Sequence, residues 1–389
     1  MKYIFNIIII SLLILSSYCT FQSTLFNRIN KGRNGENLII SPLSIFQALS
    51  LAANGANGQT LSEMLELLQY DTLDALNQVN FEILSVIEEY TTIDIANAIM
   101  TKFTPLKTFR AISKKYLAPI KPLESVEQVN EWCSNKTHGK ITKILDELEG
   151  LSAMIIINAV YFRGEWALKF EKDMTKKLPF YNLGSQKTEV DTMTQISYFS
   201  YYEDKNVQAV RLHFQMDDMS AIVILPQNGT DINKYINTLS KSKDEYNKII
   251  KGLRFEKVHL QMPKFELNFE QNLRDILMDL GMFNAFSIED ADFTWLKKEK
   301  DIYIGKVIHK TYLKVFEEGC EAAAVTAVEF LYGSAGFQEI IYDMKIDRPF
   351  NFYFKIHNYL KGMTWYLCPK LKKLIKTIIF FYPYFPKLF

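Results

Sequence analysis

The stretch Glu317-Glu318-Gly319-Cys320-Glu321-Ala322-Ala323-Ala324-Val325-Thr326-Ala327-Val328-Glu329-Phe330 decides how this chain is interpreted. Alternate residues from Cys320 to Phe330 carry no charge, whereas the opposite register holds both Glu321 and Glu329. A period of two predicts a strand with one face toward a core. The next residues, 332–336, include two glycines and are typical of an exposed loop. The pattern indicates a segment that can be strand or loop, with an Ala-rich helix as the ordinary alternative.

The composition of the whole chain is that of a large globular protein. Of its 389 residues 48% are hydrophobic, and no Pro/Gly/Ser-rich linker, charge block or internal repeat divides the chain. We therefore predict one large mixed domain and expect a monomer. The formal net charge is only +1, so nucleic acid is not an expected partner.

The first 19 residues have the features of a secretory signal peptide. Lys2 precedes the apolar run 7–15, and Ser17-Tyr18-Cys19 places small residues before a cleavage point after Cys19. The apolar run is shorter than the roughly 20 residues that a membrane anchor needs. We therefore predict a secreted, extracellular protein with a signal peptide over residues 1–19.

Possible modification sites fit secretion. Two N-glycosylation sequons begin at Asn135 and Asn228, and the second, in a Gly-containing turn, is the better candidate.

After removal of the signal peptide three cysteines remain, Cys133, Cys320 and Cys368. Because three is odd, at least one thiol is predicted to be unpaired or to bond another molecule.

Strands and helices are predicted in no regular alternation, which favours an α+β fold. Ser41 is predicted to cap a helix with Pro42 in its first turn, and Thr60 with Glu63 forms a capping-box pattern. The other predicted elements are an amphipathic helix over Val129–Leu145, strands buried on both faces over Met154–Phe162 and Ala221–Pro226, and a helix over Leu267–Gly281.

No catalytic or metal-binding motif is apparent. The chain lacks a Gly-x-Ser-x-Gly elbow, a His-Glu-x-x-His pair, a Walker loop and a Gly-x-Gly-x-x-Gly turn. Its five histidines are scattered, and His309 follows apolar residues, which favours a buried imidazole with satisfied hydrogen bonds. We therefore expect neither an enzyme nor a cofactor or metal.

A series of short motifs occurs in one order between about residues 21 and 355. They are Asn37–Ser44, Gly55–Thr60, Asn130–Trp132, Lys136–Ile141, Asn158–Trp166, Pro263–Phe265, Leu280–Met282, Ala291–Phe293, His309–Lys310, Glu317–Thr326 and Arg348–Phe350. Each motif alone is weak, but together they resemble the serpins, a family of serine protease inhibitors.

The resemblance implies a fold and a mechanism. The fold is a single α+β serpin-like domain over residues 20–369, with three β-sheets, about eight or nine helices and an exposed reactive-centre loop. In the mechanism, a target protease cleaves the loop and stays attached as an acyl-enzyme while the loop inserts into the central sheet. A non-inhibitory serpin acting as a binding or carrier protein is the alternative.

The same resemblance assigns roles to individual residues. The hinge of the loop would comprise Glu317, Gly319, Cys320, Ala322, Ala323, Ala324 and Thr326. A polar cluster that controls sheet opening, the shutter, would comprise Ser41, Ser44, Asn158 and His309. The breach at the top of the sheet would comprise Trp166 and an ion pair between Lys264 and Glu317.

Counting along the loop places the cleaved bond at Gly333–Ser334, although glycine offers a protease pocket no side chain. Counting back from Pro349 lands nearer Gln338, and the bulky residues available are Leu331, Tyr332 and Phe337. Because no Lys or Arg occurs from Glu318 to Met344, a trypsin-like target is not expected. The predicted target is a chymotrypsin- or elastase-like serine protease, or a cysteine protease that accepts apolar residues.

The chain departs from the family in two places. Cys320 stands where Thr or Ser is usual; we predict a small buried side chain, and a disulfide that would tether the loop is the alternative. Met363–Pro369 stands where a Phe-x-Gly-Arg-like run is expected, and a basic, aromatic tail follows over residues 370–389. This tail is interpreted as a disordered or misread end, with membrane contact as the other possibility.

Overall fold

The computed structural model describes residues 21–33, 36–87, 93–148, 154–162, 164–182, 187–215, 219–241, 243–320, 340–356 and 380–382. Within these ranges the chain forms nine α-helices and three β-sheets, which confirms the predicted α+β class. The following predictions lie outside the described residues: the signal peptide, Cys368, most of the tail, the hinge residues Ala322, Ala323, Ala324 and Thr326, and the cleavage candidates Leu331, Tyr332, Gly333, Ser334, Phe337 and Gln338.

Helices surround the sheets. They are α1 (21–30), α2 (Pro42–Ala53), α3 (Gly58–Leu68), α4 (Leu73–Ile87), α5 (Lys107–Lys115), α6 (Val126–Lys136), α7 (Ile232–Lys241), α8 (Lys243–Gly252) and α9 (Arg274–Asp279). As predicted, the Ser41 hydroxyl caps α2 by accepting from Ser44 N–H at 3.4 Å, and Pro42 is the first helical residue.

A five-stranded sheet forms the centre of the molecule. Its strands are β2 (Ile93–Thr101), β3 (Ile120–Pro122), β4 (Met154–Phe162), β11 (Phe265–Asn272) and β12 (Ile304–Val315), in the order β11-β12-β4-β2-β3. β4 and β12 run parallel, with His309 opposite Asn158. We call the boundary between these two strands the central seam.

The larger sheet has nine strands. These are β1 (Leu38–Ile40), β6 (Lys176–Tyr181), β7 (Lys187–Glu203), β8 (Val207–His213), β9 (Met219–Pro226), β10 (Arg254–Pro263), β14 (Tyr342–Lys345), β15 (Asn351–Ile356) and β16 (Phe380–Tyr382). Their order is β1-β16-β15-β9-β8-β7-β10-β14, with β6 paired to β7. A third, two-stranded sheet pairs β5 (Gly164–Glu165) with β13 (Gly319–Cys320).

Both faces of the central seam are buried, which explains why β4 is apolar at every position except Asn158. All nine β4 residues are buried. Ile156 and Val160 join the main hydrophobic core, whereas Ile155 and Ile157 join a second cluster that includes Val129 and Cys133 of α6. The predicted strand over Met154–Phe162 is confirmed. The strand predicted over Ala221–Pro226 is also confirmed, and it begins two residues earlier, at Met219.

Two predicted helices are wrong in extent. The helix predicted over Val129–Leu145 begins at Val126 and ends at Lys136, since His138 and Gly139 adopt positive φ angles of 51° and 76°. The helix predicted over Leu267–Gly281 is mostly strand β11, followed by the short α9. Its buried and exposed residues alternate, a period of two that the later leucines had obscured.

The predicted capping box at Thr60 and Glu63 is also wrong. Helix α3 begins earlier, at Gly58, so both side chains lie inside it. The Thr60 hydroxyl accepts from Asp292 N–H at 2.9 Å, and the Glu63 carboxylate accepts from the N–H groups of Phe283 and Asn284. These polar groups hold a distant loop instead of their own helix end.

Part of the predicted tail lies in a sheet. Strand β16 is inserted between β1 and β15 and pairs antiparallel with both. Phe380–Tyr382 therefore take the place next to β1 that a closing strand would occupy. The prediction of a disordered end does not hold for these three residues.

Candidate functional site: the central seam and the start of the loop segment

A buried polar network crosses the central seam. On β4, the Asn158 carbonyl oxygen accepts from the Ser44 hydroxyl at 2.9 Å and contacts His309 Nδ1 of β12. On the other side of the ring, His309 Nε2 accepts from Ser41 N–H at 3.2 Å. The predicted shutter residues Ser41, Ser44, Asn158 and His309 are thus brought together, and all four are buried.

The hydrogen-bond directions fix the state of His309. Because Nε2 accepts from a backbone N–H, the proton of the neutral ring lies on Nδ1 and is donated to Asn158. Complete burial lowers the pKa of His309 to about 3. A second ring proton would also oppose Ser41 N–H, so this histidine stays neutral at physiological pH.

Sequence reasoning missed Asn97, which completes the network. Asn97 lies on β2 directly opposite Asn158, and its carbonyl oxygen accepts from the Asn158 amide. The network therefore links α2, β2, β4 and β12. An asparagine inside the apolar run Ile95–Met100 was the signal that could have identified it.

The breach residues also meet, at the end of β12 where the chain leaves the sheet. The Trp166 indole N–H donates to the Phe316 carbonyl at 3.0 Å, and its ring stacks on Phe214. The backbone N–H of Trp166 donates to the carbonyl of Glu318. Trp166 thereby holds the main chain on both sides of Glu317.

Glu317 forms an ion pair that is more buried than a surface salt bridge. Its carboxylate lies 3.0 Å from Lys264 Nζ and 2.7 Å from the Thr175 hydroxyl, with a side chain 5% exposed. Burial alone would raise the pKa of Glu317, but the hydrogen bonds from Thr175, the backbone and Lys264 outweigh it and lower the pKa. Glu317 is therefore ionised and anchors the start of the loop segment, by which we mean residues 317–338 with the predicted hinge and cleavage candidates.

The last described hinge residues are tightly packed. Gly319 has φ +149°, and an added Cβ would collide with the carbonyl oxygen of Gly164 and lie 2.7 Å from Glu165 Cα. Cys320 is completely buried in the main core and forms no disulfide with the other described cysteine, Cys133. The small buried side chain predicted for Cys320 is what the structure describes.

The two sequons occupy different settings. Asn228 is exposed in the turn after β9, next to Gly229 with φ +82°. Asn135 is also exposed but lies within α6, and the hydroxyl of its partner Thr137 is buried and bonds Cys133 O and Ile141 N. An exposed turn presents a sequon more openly than a helix end, so the geometry favours Asn228.

Among the described residues no cluster of three or more His, Cys, Asp or Glu could hold a metal ion. No helix in the described part of the chain is long and apolar enough to cross a membrane. The site consists instead of a strand boundary, a neutral polar network and an anchored chain exit.

These features define a class: α+β proteins with a five-stranded central sheet, a polar network across a parallel seam, and an anchored chain exit beside that seam at Glu317–Cys320. The family model described as Serpin (serine protease inhibitor) matches residues 16–359. The chain belongs to the serpin family.

Curated relatives carry protease-inhibitor names. The leukocyte elastase inhibitor of Xenopus tropicalis is 31% identical over 338 residues, covering 80% of this chain and 89% of the relative. Intracellular coagulation inhibitor 2 of Tachypleus tridentatus is 32% identical over 322 residues, covering 77% and 78%. The predicted serpin resemblance is confirmed.

Solved structures agree with the fold. The native state of tengpin, a thermophilic serpin, matches with a TM-score of 0.80 and 28% identity, covering 96% of this chain and 94% of that one. Human thyroxine-binding globulin matches with a TM-score of 0.80 over 97% of this chain and all of its own. At 22% identity the second likeness concerns the fold alone.

Proposed function

We propose that this protein is a secreted suicide inhibitor that traps an endopeptidase as an acyl-enzyme by inserting its cleaved loop into the central seam. The observation that carries the proposal is the direct parallel pairing of β4 with β12, beside the point where the chain leaves β12. A segment turning back from the end of β12 would run antiparallel to both strands. The seam is therefore a position that the loop segment can fill.

Insertion into the seam is energetically favourable. The present seam is one parallel ladder of nine paired positions. An inserted strand replaces that ladder with two antiparallel ladders, whose hydrogen bonds are perpendicular and slightly more stable. About ten additional hydrogen bonds at roughly 0.5–1.5 kcal/mol each supply on the order of 10 kcal/mol.

The charge pattern of the segment suits this position. One face of the seam packs into the main core, so a charge on that face without a partner would cost several kcal/mol. Cys320 already lies in the main core. Every second residue after it is uncharged: Ala322, Ala324, Thr326, Val328 and Phe330. Burying Val328 and Phe330 would contribute about 1.5–3 kcal/mol each.

The proposed target is a chymotrypsin- or elastase-like serine protease, with an apolar-accepting cysteine protease as the other possibility. No Lys or Arg occurs from Glu318 to Met344, whereas Leu331, Tyr332 and Phe337 offer bulky side chains. The relative named leukocyte elastase inhibitor supports this choice. Secretion rests on residues 1–19 and is tested separately, by sequencing the N-terminus of exported protein.

The central experiment mixes the mature protein with chymotrypsin, elastase and a papain-like protease and separates the products on denaturing gels. We expect an SDS-stable complex together with a cleaved form. Sequencing the cleaved form locates the cut among Tyr332, Gly333–Ser334, Phe337 and Gln338. Cleavage by every protease without any complex would instead favour the binding or carrier function.

A charge placed in the inward register should convert the inhibitor into a substrate. We expect Thr326→Arg to be cleaved without forming the complex, because insertion would bury the guanidinium. The matched control is Ala327→Arg in the opposite register, which already contains Glu321 and Glu329 and should retain complex formation. Normal complex yield from Thr326→Arg would contradict the insertion model.

A further inference from the structure

Helix α5 and the adjoining strand ends form a strongly basic region. Residues 95–123 contain six lysine or arginine residues and no aspartate, glutamate or histidine, although the whole chain has a formal net charge of only +1. The six are Lys102, Lys107, Arg110, Lys114, Lys115 and Lys121, and all are exposed. The proposed inhibitory mechanism makes no use of this region.

Three of these cations lie in one row along α5. Lys107, Arg110 and Lys114 are spaced i, i+3 and i+7, which places them on one side of the helix. The buried residues Phe109 and Ser113 lie on the side that faces the protein. The row is therefore the solvent-facing side of α5.

A cleft beside α5 joins this row to the strand ends. Its volume is about 630 Å³, and Arg110, Lys102 and Lys121 all line it. Lys121 belongs to β3 at the edge of the five-stranded sheet, and Lys102 directly follows β2. One carboxylate, that of Glu124, also lines the cleft. The name basic surface is used below for Lys102, Lys107, Arg110, Lys114 and Lys121.

Four cations of the basic surface form no ion pair within the described part of the chain. They are Lys107, Arg110, Lys114 and Lys121. By contrast, the exposed Lys187 and Lys248 pair with Glu189 and Asp204. Neighbouring charges of one sign repel each other, so an anionic partner would gain from these cations without breaking existing ion pairs.

An exposed leucine lies at the end of the same helix. Leu117 N–H donates to Lys114 O and Ala118 N–H donates to Ser113 O, both at 3.1 Å. This pair of bonds is a Schellman motif, in which the residue at the place of Leu117 has a positive φ and is usually glycine. Leu117 has φ +54° and is 51% exposed. A bulky apolar residue thus occupies a strained position, open to solvent and bonded to the row of cations.

This combination discriminates between two kinds of anionic partner. A soluble polyanion such as a sulfated polysaccharide would use the cations but would gain nothing from Leu117. An anionic bilayer would use both, because its headgroups attract lysine and arginine and its acyl region accepts an apolar side chain. Clusters of about four to eight basic residues are typical of proteins that bind such bilayers, and α5 itself carries four.

We propose that the basic surface docks this protein on anionic phospholipid bilayers, with the Leu117 side chain inserted among the lipids. The docking is peripheral and reversible, because it depends on screened charges and one apolar side chain. No protease takes part in it. Its failure is therefore distinguishable from failure of the proposed inhibition.

The test is co-sedimentation of the mature protein with phosphatidylcholine vesicles that contain about 30% phosphatidylserine, in about 0.1 M salt without calcium. We expect saturable binding to these vesicles and no detectable binding to vesicles of phosphatidylcholine alone. Salt at about 1 M should release the protein, because it shortens the Debye length from about 10 Å to about 3 Å.

A triple variant removes the row of cations on α5. We expect Lys107→Gln/Arg110→Gln/Lys114→Gln to weaken vesicle binding about a hundredfold, which corresponds to about fivefold for each charge. Circular dichroism verifies that the variant is folded.

The matched control is Lys187→Gln/Lys248→Gln/Lys345→Gln. It removes three exposed charges on β7, α8 and β14, outside the basic surface, and leaves the same net charge as the first variant. The control should change the Kd by less than about twofold, because charges that stay away from the bilayer are screened.

A single variant tests the apolar contact. Asn tolerates a positive φ, so Leu117→Asn should remain folded while its vesicle binding weakens about tenfold. Heparin is titrated in parallel as a soluble polyanion, and Leu117→Asn should not alter its interaction with the protein.

Three results would overturn the proposal: no binding to the phosphatidylserine vesicles, an equal Kd for the two triple variants, or an unchanged Kd in Leu117→Asn. Heparin binding that is lost in the α5 variant, without vesicle binding, would assign the basic surface to a soluble polyanion. Vesicle binding that persists in the α5 variant would place the membrane contact elsewhere in the chain.

Discussion

At the scale of single residues, one neutral histidine connects the two strands of the seam. His309 accepts from Ser41 on one side and donates to Asn158 on the other, so each ring nitrogen has one defined role. Such a network is stable only while the ring is neutral, because a protonated ring would present two donors where one acceptor is needed. Protonation of His309 would therefore break the shutter network, so the stability of the fold should depend on pH through this residue.

Acidification should destabilise the fold through His309. Its folded pKa of about 3 lies below that of an unfolded histidine, about 6.5, so the unfolded chain binds the proton first. The contribution is fully present above pH 6.5 and is lost progressively as the pH falls toward 3, by about 1.4 kcal/mol per pH unit. Urea unfolding at several pH values between 8 and 4 measures this slope.

Variants assign the slope to this residue. His309→Gln should be less stable at pH 8 but should lose less stability on acidification, because no buried group then resists protonation. His138→Gln is the control for loss of a histidine outside the seam, since His138 is exposed and its Nε2 lies 3.2 Å from Asp94. A His309→Gln slope equal to that of the wild type would contradict the assignment.

At the scale of elements, the short pair β5·β13 holds the start of the loop segment in place. Gly319 pairs with Glu165, and Cys320 with Gly164. Trp166 and Lys264 bind the neighbouring main chain and Glu317. The hinge is therefore attached at its base by backbone pairing, one buried ion pair and one indole, all beside the seam.

Gly319→Ala should loosen this base. Its φ of +149° already disfavours a side chain, and the new Cβ would meet the backbone of Gly164 and Glu165, so β5 and β13 must separate. Gly229→Ala is the matched control, because Gly229 has φ +82° but nothing within 4 Å of an added Cβ. Backbone strain alone costs on the order of 1–3 kcal/mol, and Gly319→Ala should cost about twice as much as the control in urea unfolding.

At the scale of the whole molecule, the proposed mechanism depends on one boundary inside the five-stranded sheet, the central seam. The seam is filled by direct pairing of β4 with β12, and both of its faces are packed against the rest of the protein. The shutter and the breach lie along the same boundary. In the proposed mechanism, cleavage of the loop releases the segment that competes for this position.

Heat stability after cleavage separates an inhibitor from a carrier. Insertion worth on the order of 10 kcal/mol should raise the Tm by about 10–20 °C for a chain of this size. Differential scanning calorimetry of the intact protein and of protein cut between residues 331 and 338 provides the comparison. An unchanged Tm after cleavage would indicate that the loop does not insert.

Much of the seam could be predicted from the sequence, because a strand buried on both faces requires a nearly continuous apolar run, as in Met154–Phe162 with its single polar residue Asn158. Leu267–Gly281 shows the limit of this reasoning. A few leucines at helical spacing outweighed an alternation that decides the structure only once β11 pairs with β12. Thr60 and Glu63 do not form a capping box for a similar reason, because their side chains accept hydrogen bonds from the distant N–H groups of Asp292 and Phe283.

The sequence by itself determined the family, the buried central strands, the cap at Ser41 and the uncharged register of the loop segment, because these depend on local spacing and on side-chain type. Only the tertiary structure decided that Asn97 joins the shutter, that Glu317 is buried beside Lys264, and that Phe380–Tyr382 enters a sheet. Each of these results brings together residues far apart in the chain, and local preference carries no information about which distant groups will meet.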